Sequence, residues 1–193
     1  MQHVARKIVI GTVAAALLLA APGVADSTRL AASRELAQAF GASLKQELQE
    51  ALEQGGAAAA VQVCKDRAPQ IASELSRQSG AKVRRTSLRF RNPANAPEPW
   101  ETAVLDAFDR DAAYADGEPL EYFQEDSFGS ARYMAAIRTG PVCLVCHGAA
   151  VADTLDERLA IDYPHDRARG YALGDVRGAF SVTWPRQAAT PER

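Results

Sequence analysis

The sequence predicts an α+β domain from three observations. Apolar residues recur every three to four positions over two N-terminal stretches, the spacing of helices that bury one face. Short stretches of alternating apolar and polar residues follow, separated by loops rich in turn-forming residues. The chain has 193 residues, which after removal of a leader is the length of one domain.

Residues 1–25 are expected to be a secretory signal peptide. Arg6 and Lys7 form a basic start, residues 8–21 are apolar, and small residues occupy positions 23–25. The apolar stretch is short for a membrane span, so an uncleaved anchor is the less favoured alternative. The expected product is a periplasmic protein with one domain over 26–186 and a disordered tail at 187–193.

The charge pattern argues against nucleic acid as a partner. The leader holds two cations and no acid, so its removal changes the formal net charge from −2 to −4. No long basic run remains, and no later apolar stretch is long enough to span a bilayer. We therefore expect neither nucleic-acid binding nor a membrane span after cleavage.

Two helices are predicted at the start of the domain. The first covers about 29–54 and ends at Gly55-Gly56. The second covers about 57–77, with Cys64 on its apolar face, and Gly80 closes it. Pro69 lacks a backbone donor, so a kink or break is predicted just after Cys64.

The remaining elements are shorter. We expect a helix from Pro99 with Trp100, Val104 and Phe108 as its apolar stripe, and a turn at Asp116-Gly117. A short helix at 154–161 has Asp153 as its possible cap. Strands are predicted at 82–90, 120–125, 130–138 and 179–184.

The sequence Cys143-Leu144-Val145-Cys146-His147 is typical of a c-type haem attachment site. Residues three and four apart share one face of a helical turn, so both thiols and the imidazole can meet one porphyrin. Cys143 and Cys146 would form thioethers with the haem vinyl groups, and His147 would bind iron.

Other uses of these residues were weighed. Cys143 and Cys146 alone could form a disulfide or a thioredoxin-like redox pair. A zinc site would need four ligands. Cys64 and His165 could complete such a set, but their spacing in the sequence is not one recognisable as a zinc site. Cys64 itself is either a small buried hydrophobe or a soft ligand available to iron.

Arginines are dense around the first predicted strand, at positions 84, 85, 89 and 91. A solvated face is the simpler interpretation. The functional alternative is that one or two of them, with Arg85 and Arg91 as our candidates, pair with haem propionates through a guanidinium fork.

Several segments together resemble a known family. They are residues 63–72 around Cys64, residues 85–95, the attachment motif, and residues 163–180, where Tyr163-Pro164 and Arg177-Gly178 are specific matches. The chain is similar to secreted single-haem c-type domains with a PAS-like fold. That family, long of unknown function, occurs alone or as the sensor part of membrane histidine kinases.

The resemblance implies a central antiparallel sheet flanked by helices and one covalent haem c. It also implies His147 as the proximal iron ligand and Cys64 as the opposite axial ligand. Met134 and His165 are the rivals for that second position.

The favoured function is a periplasmic monohaem cytochrome in redox or ligand sensing, or in electron transfer, and not an enzyme. Without a kinase of its own, it would act through a redox or signalling partner. One alternative is a peroxidase-like haem enzyme, which Cys64 on the iron would block. Another is a haem-free thiol-disulfide oxidoreductase.

Overall fold

A computed structural model describes residues 23–111 and 119–186, with side chains from residue 28. Residues 1–22 of the predicted signal peptide, the predicted turn at Asp116-Gly117 and the predicted tail at 187–193 lie outside the described residues. The described elements, in chain order, are α1 (Gly23–Gln62), a π-helical segment (Val63–Arg67), α2 (Ala68–Ser79), β1 (Lys82–Thr86), a 3₁₀ turn (Pro93–Asn95), α3 (Pro99–Asp111), β2 (Glu121–Glu125), β3 (Ala131–Arg138), α4 (Pro141–His147), α5 (Asp153–Asp162) and β4 (Val176–Trp184).

The four strands form one antiparallel sheet in the order β1-β4-β3-β2. In register, Val182 of β4 lies between Val83 of β1 and Tyr133 of β3. Neighbouring residues of a strand point to opposite faces, so Tyr133 and Met134 serve different cores. The α+β class and its central antiparallel sheet are confirmed.

Helices cover both faces of this sheet. On one face, Phe40 of α1 and Ile71 of α2 pack with Tyr133 and Val182. On the other face, α3 packs on the sheet through a cluster that includes Val104, Leu105, Phe108, Met134 and Ala179. Burial of these apolar side chains, at about 25 cal/mol per Å², is what holds the helices to the sheet.

The two predicted N-terminal helices follow each other with two irregularities. Gly56 has φ 67° and ψ −162°, which breaks the helix where the glycine pair predicted an end. The predicted break after Cys64 takes the form of the π-helical segment, in which Ala68 N–H donates to Val63 O. Pro69 cannot donate an α-helical hydrogen bond, which favours this wider turn.

The first strand is shorter than predicted. It ends at Thr86, and the next residue turns away, since Ser87 N–H donates to Asn95 O and its hydroxyl to Arg177 O, at 3.1 and 2.7 Å. A Cβ at Gly178 would overlap the Thr86 carbonyl, so glycine is required where β4 crosses this point. The alternation at 87–90 was therefore wrongly assigned to the strand.

One local prediction also needs correction. Asp153 is the first residue of α5 and not its cap, because Ala152 occupies that position without a side-chain hydrogen bond. In α3 the predicted stripe is confirmed, because Val104 and Phe108 are buried and Trp100 packs partly covered against the same cluster; Glu101 is buried as well. Glu101 accepts hydrogen bonds from Arg84 and from the Glu98 amide, both at 2.8 Å, which offsets its burial.

None of the helices among the described residues is long and apolar enough to cross a membrane.

Candidate functional site

Helix α4 carries the Cys-x-x-Cys-His motif directly after the last residues of β3. Gly140 is its extended N-cap, and Pro141 starts it with a preset φ. Cys143, Cys146 and His147 are three and four residues apart, which places them along one side of this short helix.

The end of α4 is fixed to a downstream loop, residues 163–171. Tyr171 N–H donates to His147 O at 3.0 Å, and Gly170 N–H donates to Gly148 O at 3.1 Å. A Cβ at Gly148 would lie 2.7 Å from Leu144 O, so the chain can turn this sharply only at glycine. The loop therefore determines where the last turn of α4 lies.

The imidazole of His147 is held by the same loop. Its Nδ1 lies 2.8 Å from Ala168 O. A carbonyl oxygen only accepts, so the proton is on Nδ1 and Nε2 keeps its lone pair. Burial, followed by repulsion from Arg91 and Arg177, lowers the pKa of His147 to about 3. The ring is therefore neutral, as a metal ligand must be.

Two adjoining cavities meet at His147 and Cys64. The first has a volume of about 260 Å³ and lies between α2, β1 and the 163–171 loop. The second, about 50 Å³, reaches α4 and is bordered by Cys143 and Cys146. The residues common to both walls are Cys64, Arg85, Arg91, His147, Tyr163 and Arg177. The fold thus brings Cys64, more than seventy residues earlier in the chain, to the same space as the motif.

The three thiols are free and partly buried. Burial raises the pKa of the Cys146 thiol, Arg91 opposes that shift, and the negative charge of a Cys64 thiolate adds to it. Cys64 lines the same two cavities as Arg85 and Tyr163, so the three side chains border one space.

The arginines around the cavities divide into two groups. Arg84 pairs with Glu101 at 2.8 Å, and Arg89 stacks on Tyr171 with its guanidinium carbon 3.7 Å from the ring centre. Arg91 is bound by Asp166 and two carbonyl groups. These three cations have partners within the protein.

Arg85 and Arg177 form the second group. Neither makes an ion pair or side-chain hydrogen bond within the part of the chain that the structure describes, and Arg177 Nε is a buried donor without an acceptor. Burial lowers the pKa of Arg85. No Asp or Glu is among the described residues that line the larger cavity. Both cations are partly buried, and Arg85 also lies over the Phe40 ring. Because they face a cavity without acids, they would stabilise an anion bound there.

The rival iron ligands lie elsewhere. Met134 is fully buried in the core against α3, and His165 is exposed on the loop. Neither borders either cavity. Within residues 23–111 and 119–186, no three His, Cys, Asp or Glu side chains are grouped as a metal site needs, so the four-ligand zinc arrangement is not formed there.

Sequence reasoning missed two features of this site. Arg177 was noted only as part of a matched segment, although its position in β4 next to Gly178 carries it to the cavity. The Ala168 carbonyl has no side-chain signature at all, so no sequence pattern could have indicated it as the partner of His147.

The fold and the site together define a class: an α+β domain in which a Cys-x-x-Cys-His helix faces a distant cysteine across an arginine-lined cavity. The profile of the Tll0287-like family matches residues 21–185, so the chain belongs to that family. The crystal structure of the cyanobacterial haem protein Tll0287 is similar, with a TM-score of 0.59 and 28% identity, over 88% of this chain and 100% of that one. A search of curated proteins found no match. The family resemblance inferred from the sequence is confirmed.

The buried neutral imidazole predicts a pH dependence of stability. In the unfolded chain His147 takes up a proton below its ordinary pKa of 6.5, whereas in the fold it stays neutral down to about 3. The unfolded state thus binds more protons between those values, and stability falls by up to about 1.4 kcal/mol per pH unit as pH drops through this window. Denaturant unfolding of the haem-free full chain from pH 7 to 4 measures it.

His147→Gln should remove this part of the pH dependence, and His165→Gln, at an exposed position, is the matched control. Equal pH slopes for the natural chain and His147→Gln would contradict the expectation.

Proposed function

We propose that this protein is a periplasmic monohaem c-type cytochrome acting in redox or ligand sensing, or in electron transfer. One observation carries the proposal: Cys64 and His147 border the same two cavities, and the thiols of Cys143 and Cys146 border one of them. A porphyrin attached to those thiols has a nitrogen ligand and a sulfur ligand within reach. The related protein Tll0287 is a haem protein, which supports this assignment.

The residues present fit a haem. Its two propionates are negatively charged and would pair with Arg85 and Arg177, which have no acidic partner among the described residues. The rest of the cavity wall combines apolar side chains, such as Phe40 and Ile137, with Tyr163 and Tyr171. This wall therefore offers apolar surface for the porphyrin ring and positive charge for its propionates.

Each residue has a defined task in this proposal. Cys143 and Cys146 form the thioether links, and His147 presents Nε2 because Ala168 O holds its Nδ1 proton. Cys64 supplies a sulfur ligand from the π-helical turn. When bound, haem supplies one-electron chemistry and an iron that takes diatomic ligands.

We assign no enzymatic role and expect the domain to act on a separate redox or signalling partner. Haem enzymes of the peroxidase type need acid-base groups on an open iron face. Among the described residues, the lining of the larger cavity includes His147 as its histidine and no carboxylate. Cys64 would occupy the second ligand position in this proposal. Periplasmic location rests on the leader at 1–25.

Covalent attachment is tested by mass. The full chain, expressed with a working haem-maturation system, should gain the mass of one haem after denaturation and give a c-type pyridine haemochrome spectrum. Cys143→Ala and Cys146→Ala should each weaken attachment, since each removes one thioether. A colourless natural chain with a Cys143–Cys146 disulfide would sink the proposal.

Cys64 as an iron ligand is tested by redox titration followed by absorption spectra. A thiolate donates negative charge and favours the ferric state, so Cys64→Ser should raise the reduction potential and change the ligand-field bands. Cys146→Ala disturbs the site but keeps both proposed iron ligands, so it is the control for effects of general damage to the site. Identical potentials and bands in the natural protein and Cys64→Ser would exclude Cys64 as a ligand.

The same titration separates the two proposed roles. Ferrous iron holds a thiolate less firmly, so in a sensor Cys64 should leave on reduction and carbon monoxide should then bind. An electron carrier should keep both ligands in both states. Carbon monoxide binding to the reduced natural protein would favour sensing, and its absence would favour electron transfer.

The unpaired arginines predict a specific pH effect. Pairing with Arg85 and Arg177 should hold the pKa of the propionates low. In Arg85→Gln or Arg177→Gln those groups should take up protons at higher pH, so the rise of the reduction potential on acidification should begin earlier. Arg158→Gln, an exposed arginine of α5 that pairs with Asp162, is the control. Unchanged pH profiles in both variants would contradict the pairing.

A further inference from the structure

Arg91 and Asp166 form a buried ion pair beside His147. The Arg91 side chain is 10% exposed and that of Asp166 is 7%, and their nearest atoms, Nε and Oδ1, are 3.1 Å apart. Their positions in the chain differ by 75 residues, so the pair ties the segment after β1 to the 163–171 loop.

We propose that this ion pair positions the imidazole of His147 and sets the reduction potential of the site. The inference rests on the proposed haem function, and it gives Arg91 a task other than the propionate contact considered from the sequence.

Arg91 reaches the two chain segments that fix His147. Its Nη2 donates to Cys146 O at 2.6 Å, in the last turn of α4, and to Ala168 O at 3.3 Å. Ala168 O is the acceptor for His147 Nδ1. One guanidinium therefore joins the backbone before His147 to the carbonyl that orients its ring.

Asp166 holds the other side of the same carbonyl. Its Oδ1 accepts the Ala168 N–H at 2.8 Å, and its Oδ2 accepts from Arg169 Nε at 2.6 Å. Arg169 in turn pairs with Asp156 of α5, so Asp166 is anchored on two sides. The peptide at Ala168 is thus restrained through its N–H by Asp166 and through its C=O by Arg91.

The pair differs electrically from Arg85 and Arg177. Arg91 and Asp166 neutralise each other, so together they add little net charge next to the site. Arg91→Gln removes one positive charge beside the site and leaves Asp166 with Arg169 as its cation, whereas Asp166→Asn leaves Arg91 without an acid partner. Charges in a buried position act strongly. A leftover carboxylate favours ferric iron and lowers the potential, whereas a leftover guanidinium favours ferrous iron and raises it.

The test is a cycle of variants of the haem-loaded full chain: Arg91→Gln, Asp166→Asn and both together. We expect Arg91→Gln to lower the potential and Asp166→Asn to raise it. Each should change the reduced-to-oxidised ratio at a fixed solution potential about tenfold, which is 59 mV for one electron. The double variant should return close to the natural value. Arg34→Gln, which breaks the exposed Arg34–Glu121 pair of α1 and β2, should leave the potential unchanged.

A merely structural role would behave differently. Loosening the site by either substitution would shift the potential in one direction, and the double variant would be worse than each single one. Shifts of the same sign in Arg91→Gln and Asp166→Asn would therefore overturn the proposal.

A second arm needs no haem and tests positioning alone. ¹⁵N NMR of the imidazole in the cofactor-free full chain should show one tautomer, with the proton on Nδ1 of His147. Arg91→Gln should add the Nε2–H tautomer. Arg91→Lys keeps the charge but loses the two-pronged guanidinium, so it should show the same tautomer change. Because the charge is kept, the haem-loaded form of Arg91→Lys should have a reduction potential near the natural value. An unchanged tautomer in Arg91→Gln would refute the positioning role, even if the chain failed to carry haem.

Discussion

The hydrogen bond from His147 Nδ1 to Ala168 O is the contact on which the chemistry of this site depends. It places the ring proton on Nδ1, next to the loop, so Nε2 keeps a lone pair that can bind a metal ion. Burial then keeps the ring neutral over the whole physiological pH range. The backbone of the 163–171 loop also hydrogen-bonds to His147 and Gly148, and these bonds hold the loop, with its Ala168 carbonyl, next to the ring. A loop without regular secondary structure is thereby as constrained as the helix it touches.

The distribution of positive charge gives the site its selectivity. Five of the described arginines line the larger cavity, and two of them are balanced by acids: Arg84 by Glu101 and Arg91 by Asp166. Arg85 and Arg177 have no acid partner among the described residues that line this cavity. A neutral ligand would leave these partly buried cations without one, whereas an anion would balance them. A haem bound as proposed would supply that charge through its two propionates.

Much of this arrangement could be predicted from the sequence, because it depends on local patterns. The motif at 143–147 contains its own geometry, and the helical spacing put Cys64 on a buried face next to the break at Pro69. The end of β1 could not be predicted, because Leu88 and Phe90 continue the alternation while Ser87 leaves the ladder to donate to Asn95 O and to Arg177 O, which lies ninety residues later. The same holds for the pairing of Arg91 with Asp166 and for the buried Glu101. These depend on long-range contacts of single side chains, which leave no periodic signal.

The two proposed ligands are held with unequal firmness, and this asymmetry indicates where a response can start. His147 is fixed through its ring, its carbonyl and the following glycine. Cys64 lies in a π-helical turn next to a proline that cannot complete the backbone ladder, and the flanking Lys65 is tied down by an exposed ion pair with Asp162. Exposed pairs contribute at most about 1 kcal/mol. If Cys64 binds the iron as proposed, an exchange of ligands therefore costs less on its side than on that of His147.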